Sequence, residues 1–234
     1  MIQAILFDLD GTLLPMDQDL FVKAYLGGLA KHMAPHGYDP QKMVQALWEG
    51  TGDMVRNDGT QKNETLLWKT FCKYFGENAR MDEPLFVQFY ENEFQDVRHI
   101  CGFDRRAAKS IAEIKELGYR LILATNPLFP AIATHSRVRW AGLSTDDFEL
   151  ITTYENSCYC KPNPKYYLEI LDSQGLRPEE CVMVGNDVTE DMVAQTLGMK
   201  VFLLTDNLIN KENRDIDAFP NGSFPELMDF IRRL

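Results

Sequence analysis

One short apolar run stands near the start of the chain, and every comparable run lies in its second half. The first run covers residues 2–7, and the others cover 119–125, 150–153, 181–185 and 201–204. Such runs, bounded by turn residues, are typical of buried strands. The later runs alternate with stretches of helical spacing. Strands that alternate with helices predict βαβ units and a parallel sheet, so the pattern restricts the chain to an α/β fold.

The long segment between the first and second strands has a different pattern. Residues 17–96 carry apolar residues at helical spacing and no strand-like run. This spacing predicts four helices, near residues 20–32, 40–48, 63–75 and 85–94. We therefore predict two domains: an α/β core built from 1–16 and 97–234, and an all-helical cap domain, 17–96, inserted after the first strand.

Composition limits the classes of partner. The chain of 234 residues has 24 Lys and Arg against 35 Asp and Glu, for a net charge of −11. Nucleic acids and anionic membranes attract basic surfaces, so we expect neither as a partner, whereas a small anionic substrate depends only on local charge. No apolar stretch approaches the roughly 18 residues of a membrane span, and the first strand leaves no room for a signal peptide. Five scattered Cys are typical of reduced thiols, so we expect a cytoplasmic protein of undetermined oligomeric state.

Two carboxylates follow the first strand directly. Asp8 and Asp10 lie two residues apart, and Gly11 follows them in what reads as a tight loop. In open α/β sheets, ligands bind outside the carboxyl ends of the strands. Aspartates in such a crevice repel each other unless a proton or cation intervenes, and hard divalent cations take oxygen ligands. The pair therefore indicates a metal site, with a solvated Asp-Gly turn as the simpler alternative.

Polar residues also follow other predicted strands. Thr125 and Asn126 end the second long strand, where a hydroxyl and backbone N–H groups can bind phosphate oxygens. Lys161 lies in a loop before a helix, either as a fixed cation for phosphate or as an exposed loop residue. Asp187 and Asp191 follow the strand 181–185 four residues apart, which places them on one helical face or makes them ordinary helix caps. Each residue alone has a structural explanation.

Together these stretches resemble, in order and in position, the four motifs of the haloacid dehalogenase (HAD) superfamily. The first motif has the pattern Asp-x-Asp-Gly-Thr, which residues 8–12 reproduce. Asp8 and Asp10 match the first motif, Thr125 the second, Lys161 the third, and Asp187 with Asp191 the fourth. The resemblance implies a Rossmann-like three-layer core with a parallel sheet, plus an all-helical cap at the family's first insertion point.

The resemblance also implies a hydrolase acting on phosphate monoesters. It implies a Mg²⁺-dependent phosphatase of a small phosphorylated metabolite, with an aspartyl-phosphate intermediate. Asp8 would attack phosphorus, and Asp10 would protonate the leaving alcohol and then activate water. Mg²⁺ would be bound by the Asp8 carboxylate, the Asp10 backbone carbonyl and the Asp187 carboxylate.

The remaining motif residues would act around the phosphate. Thr125, Asn126 and Lys161 would bind the phosphate oxygens on which charge develops. Asp191 would hold Lys161 or a metal-bound water. No pattern in residues 17–96 names the substrate.

Two alternatives to the phosphatase stay open. A phosphomutase of the superfamily resembles a phosphatase at every core motif, and a binding or regulatory protein could keep the fold without turnover. Dehalogenases of the superfamily lack the second Asp of the first motif, so Asp10 favours phosphoryl transfer over carbon–halogen cleavage. We also expect the cap to move about hinges near residues 14–17 and 99–103, because closure over a site excludes water.

Overall fold

A six-stranded parallel sheet forms the centre of the protein in the computed structural model, which describes all 234 residues. The strands are β1 (Ala4–Phe7), β2 (Arg120–Leu123), β3 (Leu150–Ile151), β4 (Cys181–Gly185), β5 (Lys200–Leu204) and β6 (Asn221–Gly222). Their order in the sheet is β3-β2-β1-β4-β5-β6. The prediction of an α/β fold with a parallel sheet is therefore confirmed. The sixth strand is not among the predicted ones, because a two-residue Asn-Gly strand has no apolar run and resembles a turn.

Eight α-helices accompany the sheet. They are α1 (Gln18–Met33), α2 (Pro40–Val55), α3 (Asn63–Phe75), α4 (Glu83–Glu91), α5 (Arg105–Glu116), α6 (Ala131–Trp140), α7 (Pro164–Gln174) and α8 (Phe224–Ile231). The first four, with 3₁₀ segments at Glu77–Asp82 and Glu93–Ile100, fill the stretch between β1 and α5 without a strand. The helix predicted over 85–94 is shorter, because the backbone of Asn92 leaves the helical region (φ −115°, ψ −90°).

β1 is buried on both faces, which explains why its sequence is apolar without alternation. Ile5 and Phe7 pack into one cluster, whereas Ala4 and Leu6 pack into another on the opposite face, as successive strand residues must. The first cluster continues into the helical insertion, where it includes Phe21. The division of the chain into a core and a cap domain stays a prediction.

The start of α3 anchors the helical insertion to the loops that follow β2 and β3. The backbone N–H of Asn63 donates to Ser157 O (3.0 Å), and that of Glu64 donates to Tyr154 O (2.9 Å). The Asn63 side chain, fully buried, donates to Pro127 O and to Cys160 Sγ, both at 3.3 Å. These bonds fix α3 above the carboxyl edge of the sheet.

Candidate active site

The sheet reverses its order beside β1, and the predicted residues gather at that point. From β1 the chain builds β2 and β3 on one side, then returns to place β4 on the other. Such a switch point opens a crevice at the carboxyl ends of the strands. Asp8 follows β1, and its backbone N–H donates to Val184 O of β4 at 2.9 Å. The loops that follow β1 and β4 therefore lie side by side.

Gly11 and Thr12 lock these two loops together. Gly11 has φ +88°, and a Cβ at this position would lie 2.3 Å from Asn186 Nδ2, so only glycine is accommodated. The Thr12 hydroxyl lies 3.1 Å from Asp8 Oδ2 and 2.9 Å from Asn186 Oδ1. Neither Thr12 nor Asn186 was predicted as a site residue, although Thr12 lies in the first motif and Asn186 directly precedes Asp187 of the fourth.

Lys161 lies at the centre of the site and is 1% exposed. Its Nζ donates to Asp8 Oδ1 at 2.8 Å and to Asp191 Oδ1 at 2.6 Å. Burial by itself lowers the pKa of this ammonium, but the carboxylates of Asp191 and Asp8 raise it well above the ordinary value overall. Lys161 is thus a buried, charged bridge between the first and fourth motifs, and not an exposed loop residue.

Asp187 and Asp191 lie one turn apart and have different surroundings. Asp191 is 1% exposed, and its Oδ2 accepts the backbone N–H of Asp187 at 2.9 Å. Burial raises the pKa of Asp191 to about 7, against the opposing effect of Lys161. Asp187 Oδ1 accepts the backbone N–H groups of Thr189 (2.7 Å) and Glu190 (2.9 Å). The capping interpretation therefore holds for one Asp187 oxygen and leaves the other without a protein donor.

Thr125 and Asn126 connect the end of β2 to the same site. Thr125 is buried, and its backbone carbonyl accepts the Thr152 hydroxyl at 2.7 Å. Asn126 accepts the Lys161 backbone N–H at 3.3 Å and donates to Glu190 Oε2 at 3.1 Å. Burial raises the pKa of Glu190, with Lys161 opposing. Asn126 thus ties together three loops, including a carboxylate that the sequence analysis did not single out.

Asp10 pairs with Arg137, a residue of α6 that is fully buried. The Arg137 guanidinium donates to Asp10 Oδ2 and to the Thr134 hydroxyl (3.1 Å), and its carbon lies 4.4 Å from the centre of the Phe129 ring. Asp10 Oδ1 and Arg137 Nε are buried without a hydrogen-bond partner. Burial raises the pKa of Asp10, and Arg137 opposes this increase.

Arg137 is a site residue that was not predicted, although its position in the helical pattern is informative. Ala133, Arg137 and Trp140 recur at the spacing of one helical face, and all three are buried. A charged residue on the apolar face of a helix requires a buried partner. Searching for such a residue would have indicated Arg137.

The oxygen atoms around Asp8 suit a hard cation. The Asp8 and Asp187 carboxylates would supply two ligands to such a cation, and the Asp10 backbone carbonyl, which accepts no hydrogen bond from the protein, would supply a third. No group of three or more His, Cys, Asp or Glu side chains is assembled for a metal. A cation here would complete its shell with water and substrate phosphate, as Mg²⁺ commonly does. The residues therefore fit Mg²⁺.

The family model described as haloacid dehalogenase-like hydrolase matches residues 2–195. The chain belongs to this family of hydrolases, as the motifs predict.

The chain is also similar to individual proteins of known name or structure. It is 25% identical over 238 residues to the glyceraldehyde 3-phosphate phosphatase of Methanothermobacter thermautotrophicus, covering 100% of this chain and 98% of the relative. It is 25% identical over 199 residues to the pyrophosphatase PpaX of Bacillus velezensis, covering 85% and 81%. A 2-haloacid dehalogenase structure from Pseudomonas syringae pv. tomato superimposes with a TM-score of 0.63 at 22% identity, covering 100% and 99%, which shows a shared fold. None of the helices in our structure is long and apolar enough to cross a membrane.

Proposed function

We propose that this protein is a Mg²⁺-dependent phosphatase that hydrolyses a small phosphate monoester through an aspartyl-phosphate on Asp8. The observation that carries the proposal is the buried Lys161 ammonium, which bridges Asp8 and Asp191 at the carboxyl ends of β1 and β4. Membership of a hydrolase family and two relatives named as phosphatases support it.

In the first step, an Asp8 carboxylate oxygen attacks phosphorus and the bond from phosphorus to the leaving oxygen breaks. Asp10 gives its proton to that oxygen, so the leaving group departs as an alcohol. In the second step, Asp10 takes a proton from a water that attacks the aspartyl-phosphate, and inorganic phosphate leaves Asp8. Asp10 must hold a proton in one step and lose it in the other, which suits a carboxyl whose pKa burial raises.

The other motif residues neutralise and orient charge. Lys161 offsets the charge of Asp8 and of the incoming phosphate, and Asn126 holds the Lys161 backbone in place. Thr125 would present its hydroxyl to a phosphate oxygen. When bound by Asp8, Asp187 and the Asp10 carbonyl, Mg²⁺ would polarise the phosphoryl group and reduce its repulsion of Asp8.

Hydrolysis of p-nitrophenyl phosphate with and without Mg²⁺ tests the proposal. We expect turnover that requires Mg²⁺, and a loss of about a thousandfold or more in Asp8→Asn, which keeps the shape but removes the attacking charge. Asp19→Asn, at an exposed position of α1, is the matched control and should be normal. Near-normal hydrolysis by Asp8→Asn would reject the assignment. With a sugar monophosphate as the substrate, movement of the phosphate to another hydroxyl of the sugar, without release of inorganic phosphate, would indicate the phosphomutase instead.

A further inference from the structure

A cavity of about 310 Å³ lies between the helical insertion and the loops that follow β2 and β3. We call it the aromatic cavity. Of its 15 lining residues, 12 are hydrophobic. Its walls include Tyr25, Leu67, Trp68, Phe86 and Tyr90. A concave apolar site of this size takes a group with a ring or a branched chain.

None of the motif residues lines the aromatic cavity, but its lining includes residues of the loops that carry Thr125 and Asn126. One of them is Leu128, whose backbone N–H donates to Asn126 O at 2.8 Å. The lining also contains Tyr154, two residues beyond Thr152, whose hydroxyl holds the Thr125 carbonyl. A group attached to a phosphate at Thr125 and Asn126 would therefore extend past Leu128 into the aromatic cavity.

The charges of the lining select against a second anion. The only charged residues of the lining are Glu83 and Glu155, and it contains no Lys or Arg. Glu155 accepts the Ala131 backbone N–H, which keeps it near the start of α6. Arg80 lies over the Trp68 ring, 4.5 Å from its centroid, but it already pairs with Glu64 and Glu83. A ligand with another phosphate or carboxylate would therefore meet like charge that is only partly compensated.

One polar group of the cavity wall lacks a partner. Trp68 is 8% exposed, and its indole Nε1 is buried with no hydrogen-bond acceptor. This nitrogen is closed to a water-sized group, so it offers no hydrogen bond to a ligand, and Trp68 presents only apolar surface to the cavity.

We propose that the aromatic cavity binds the leaving group of the substrate, and that this group is an uncharged aromatic alcohol. The inference rests on the proposed function and names its substrate class. The apolar walls and the two acidic residues favour such a group over a sugar acid or a second phosphate.

Two primary alkyl phosphates test the preference. In 2-phenylethyl phosphate and 2-phosphoglycolate the leaving oxygen is that of a primary alcohol, so a difference in kcat/KM reports mainly on binding of the rest of the group. With Mg²⁺, we expect kcat/KM to be about tenfold or more higher for 2-phenylethyl phosphate. Equal values, or a preference for 2-phosphoglycolate, would overturn the inference while leaving the phosphatase proposal intact.

Filling the cavity provides a second test. Val87 lines it and is 38% exposed, so Val87→Trp should fill space without disturbing the fold. We expect KM for 2-phenylethyl phosphate to rise about tenfold and KM for methyl phosphate to stay unchanged. Gln88→Trp, at an exposed neighbour outside the lining, is the control. An equal rise in KM for both esters, or an equal rise in both variants, would contradict the assignment of the aromatic cavity to the leaving group.

Reversing one charge of the lining tests whether its acidic residues select against a second anionic group. Glu83→Lys places a cation at the cavity, whereas Glu91→Lys makes the same change elsewhere on α4. We expect kcat/KM for 2-phosphoglycolate to rise several-fold in the first variant alone. If kcat/KM for 2-phosphoglycolate stayed the same in both variants, the acidic residues of the lining would not select against anions.

Calorimetric titration with 2-phenylethanol separates the two proposals, because it needs no turnover. Saturable binding to the parent, lost in Val87→Trp and kept in Gln88→Trp, supports the cavity assignment even if no phosphate ester is hydrolysed. Hydrolysis of p-nitrophenyl phosphate without binding of 2-phenylethanol would overturn the cavity assignment alone.

Discussion

Arg137 places a permanent positive charge beside the carboxylate that we propose moves the protons. A guanidinium does not lose its proton in proteins, so it holds Asp10 Oδ2 by charge and leaves Oδ1 as the oxygen without a partner. Thr134 and the Phe129 ring fix the guanidinium in turn. The pair therefore fixes the orientation of the Asp10 carboxyl.

Arg137→Gln should affect esters according to how much their leaving group needs a proton. We expect kcat/KM for 2-phenylethyl phosphate to fall about a hundredfold, the usual contribution of a positioned general acid. For 2,4-dinitrophenyl phosphate it should change little, because that leaving group departs as a stable anion. Parallel steady-state assays on the two esters measure the difference.

Two further variants distinguish positioning from packing. Arg137→Lys keeps the charge and should recover part of the activity on the alkyl ester, whereas Arg139→Gln changes an exposed residue of the same helix and should behave like the parent. A melting curve of each variant shows whether it folds. If Arg137→Gln lost equal activity on both esters, Arg137 would have only a packing role.

At the scale of residues, the sequence predicted the site residues that lie next to recognisable strands and helices. It did not predict the residues that reach the site from other elements. Asp8, Lys161 and Asp191 meet in the structure, and each follows or precedes a recognisable element. Thr12 and Arg137 act through contacts with Asn186 and Asp10 that cross 174 and 127 residues of chain. Pairings over such separations cannot be deduced from one sequence.

At the scale of elements, the start of α3 is the point where the helical insertion is held to the core. The side chain of Asn63 makes two hydrogen bonds there, and it also accepts one from Asn57 Nδ2 at 2.8 Å. The chain enters and leaves the insertion side by side, since the Gly102 N–H donates to Pro15 O at 2.7 Å. Both residues fall within the segments predicted as hinges, and motion about them stays a prediction.

Asn63→Ala should loosen this contact. It leaves Pro127 O and Asn57 Nδ2 without their buried partner, so we expect the free energy of unfolding to fall by about 1 to 3 kcal/mol. Amide exchange in residues 57–63 should accelerate more than exchange in β1. Thr65→Ala, exposed on the same helix, should change neither quantity. Uniform acceleration across the sheet would instead indicate a global loss of stability.

The predicted elements differ from the structure where short segments adjust to the site. The spacing of apolar residues over 190–197 predicts an α-helix, but the chain forms a 3₁₀ segment at Met192–Leu197. The turn around the Asp187 carboxylate uses the preceding residues, and Gly198 with φ +93° ends the segment. Too few residues remain for a regular α-helix, and periodicity alone does not reveal this.

At the scale of the whole molecule, the site concentrates negative charge in a protein that is already acidic. Burial raises the pKa of Asp10, Glu190 and Asp191, the last to about 7. A carboxyl with a raised pKa binds more protons in the folded state than in the unfolded state. Folding stability therefore decreases as pH rises from the unfolded pKa, about 4, towards the folded pKa. The raised pKa of Lys161 acts only above about pH 10 and lies outside this range. Burial lowers the pKa of His135, which increases stability as pH rises towards about 6.5, but this one imidazole opposes three buried carboxyls.

Without Mg²⁺, we therefore expect the melting temperature to fall as pH rises from about 5 to about 8. Millimolar Mg²⁺ should raise the melting temperature most at the upper end of this range, where the carboxylates are ionised and the cation binds only the folded chain. Thermal melts at several pH values, with Mg²⁺ or with EDTA, measure both effects. A melting temperature that rises with pH in EDTA would contradict the charge argument.

Two amide variants then assign the metal to one of the two carboxylates of the fourth motif. Asp187 keeps one oxygen free of protein donors, whereas both oxygens of Asp191 are engaged, one by Lys161 and one by the Asp187 backbone. Asp187→Asn should thus abolish the Mg²⁺-induced rise in melting temperature and change the melting temperature in EDTA little. Asp191→Asn should lower the EDTA value, because Lys161 loses a buried charged partner, and should keep most of the rise. If Asp187→Asn responded to Mg²⁺ like the parent while Asp191→Asn did not, Asp191 would be the ligand and Asp187 only a cap.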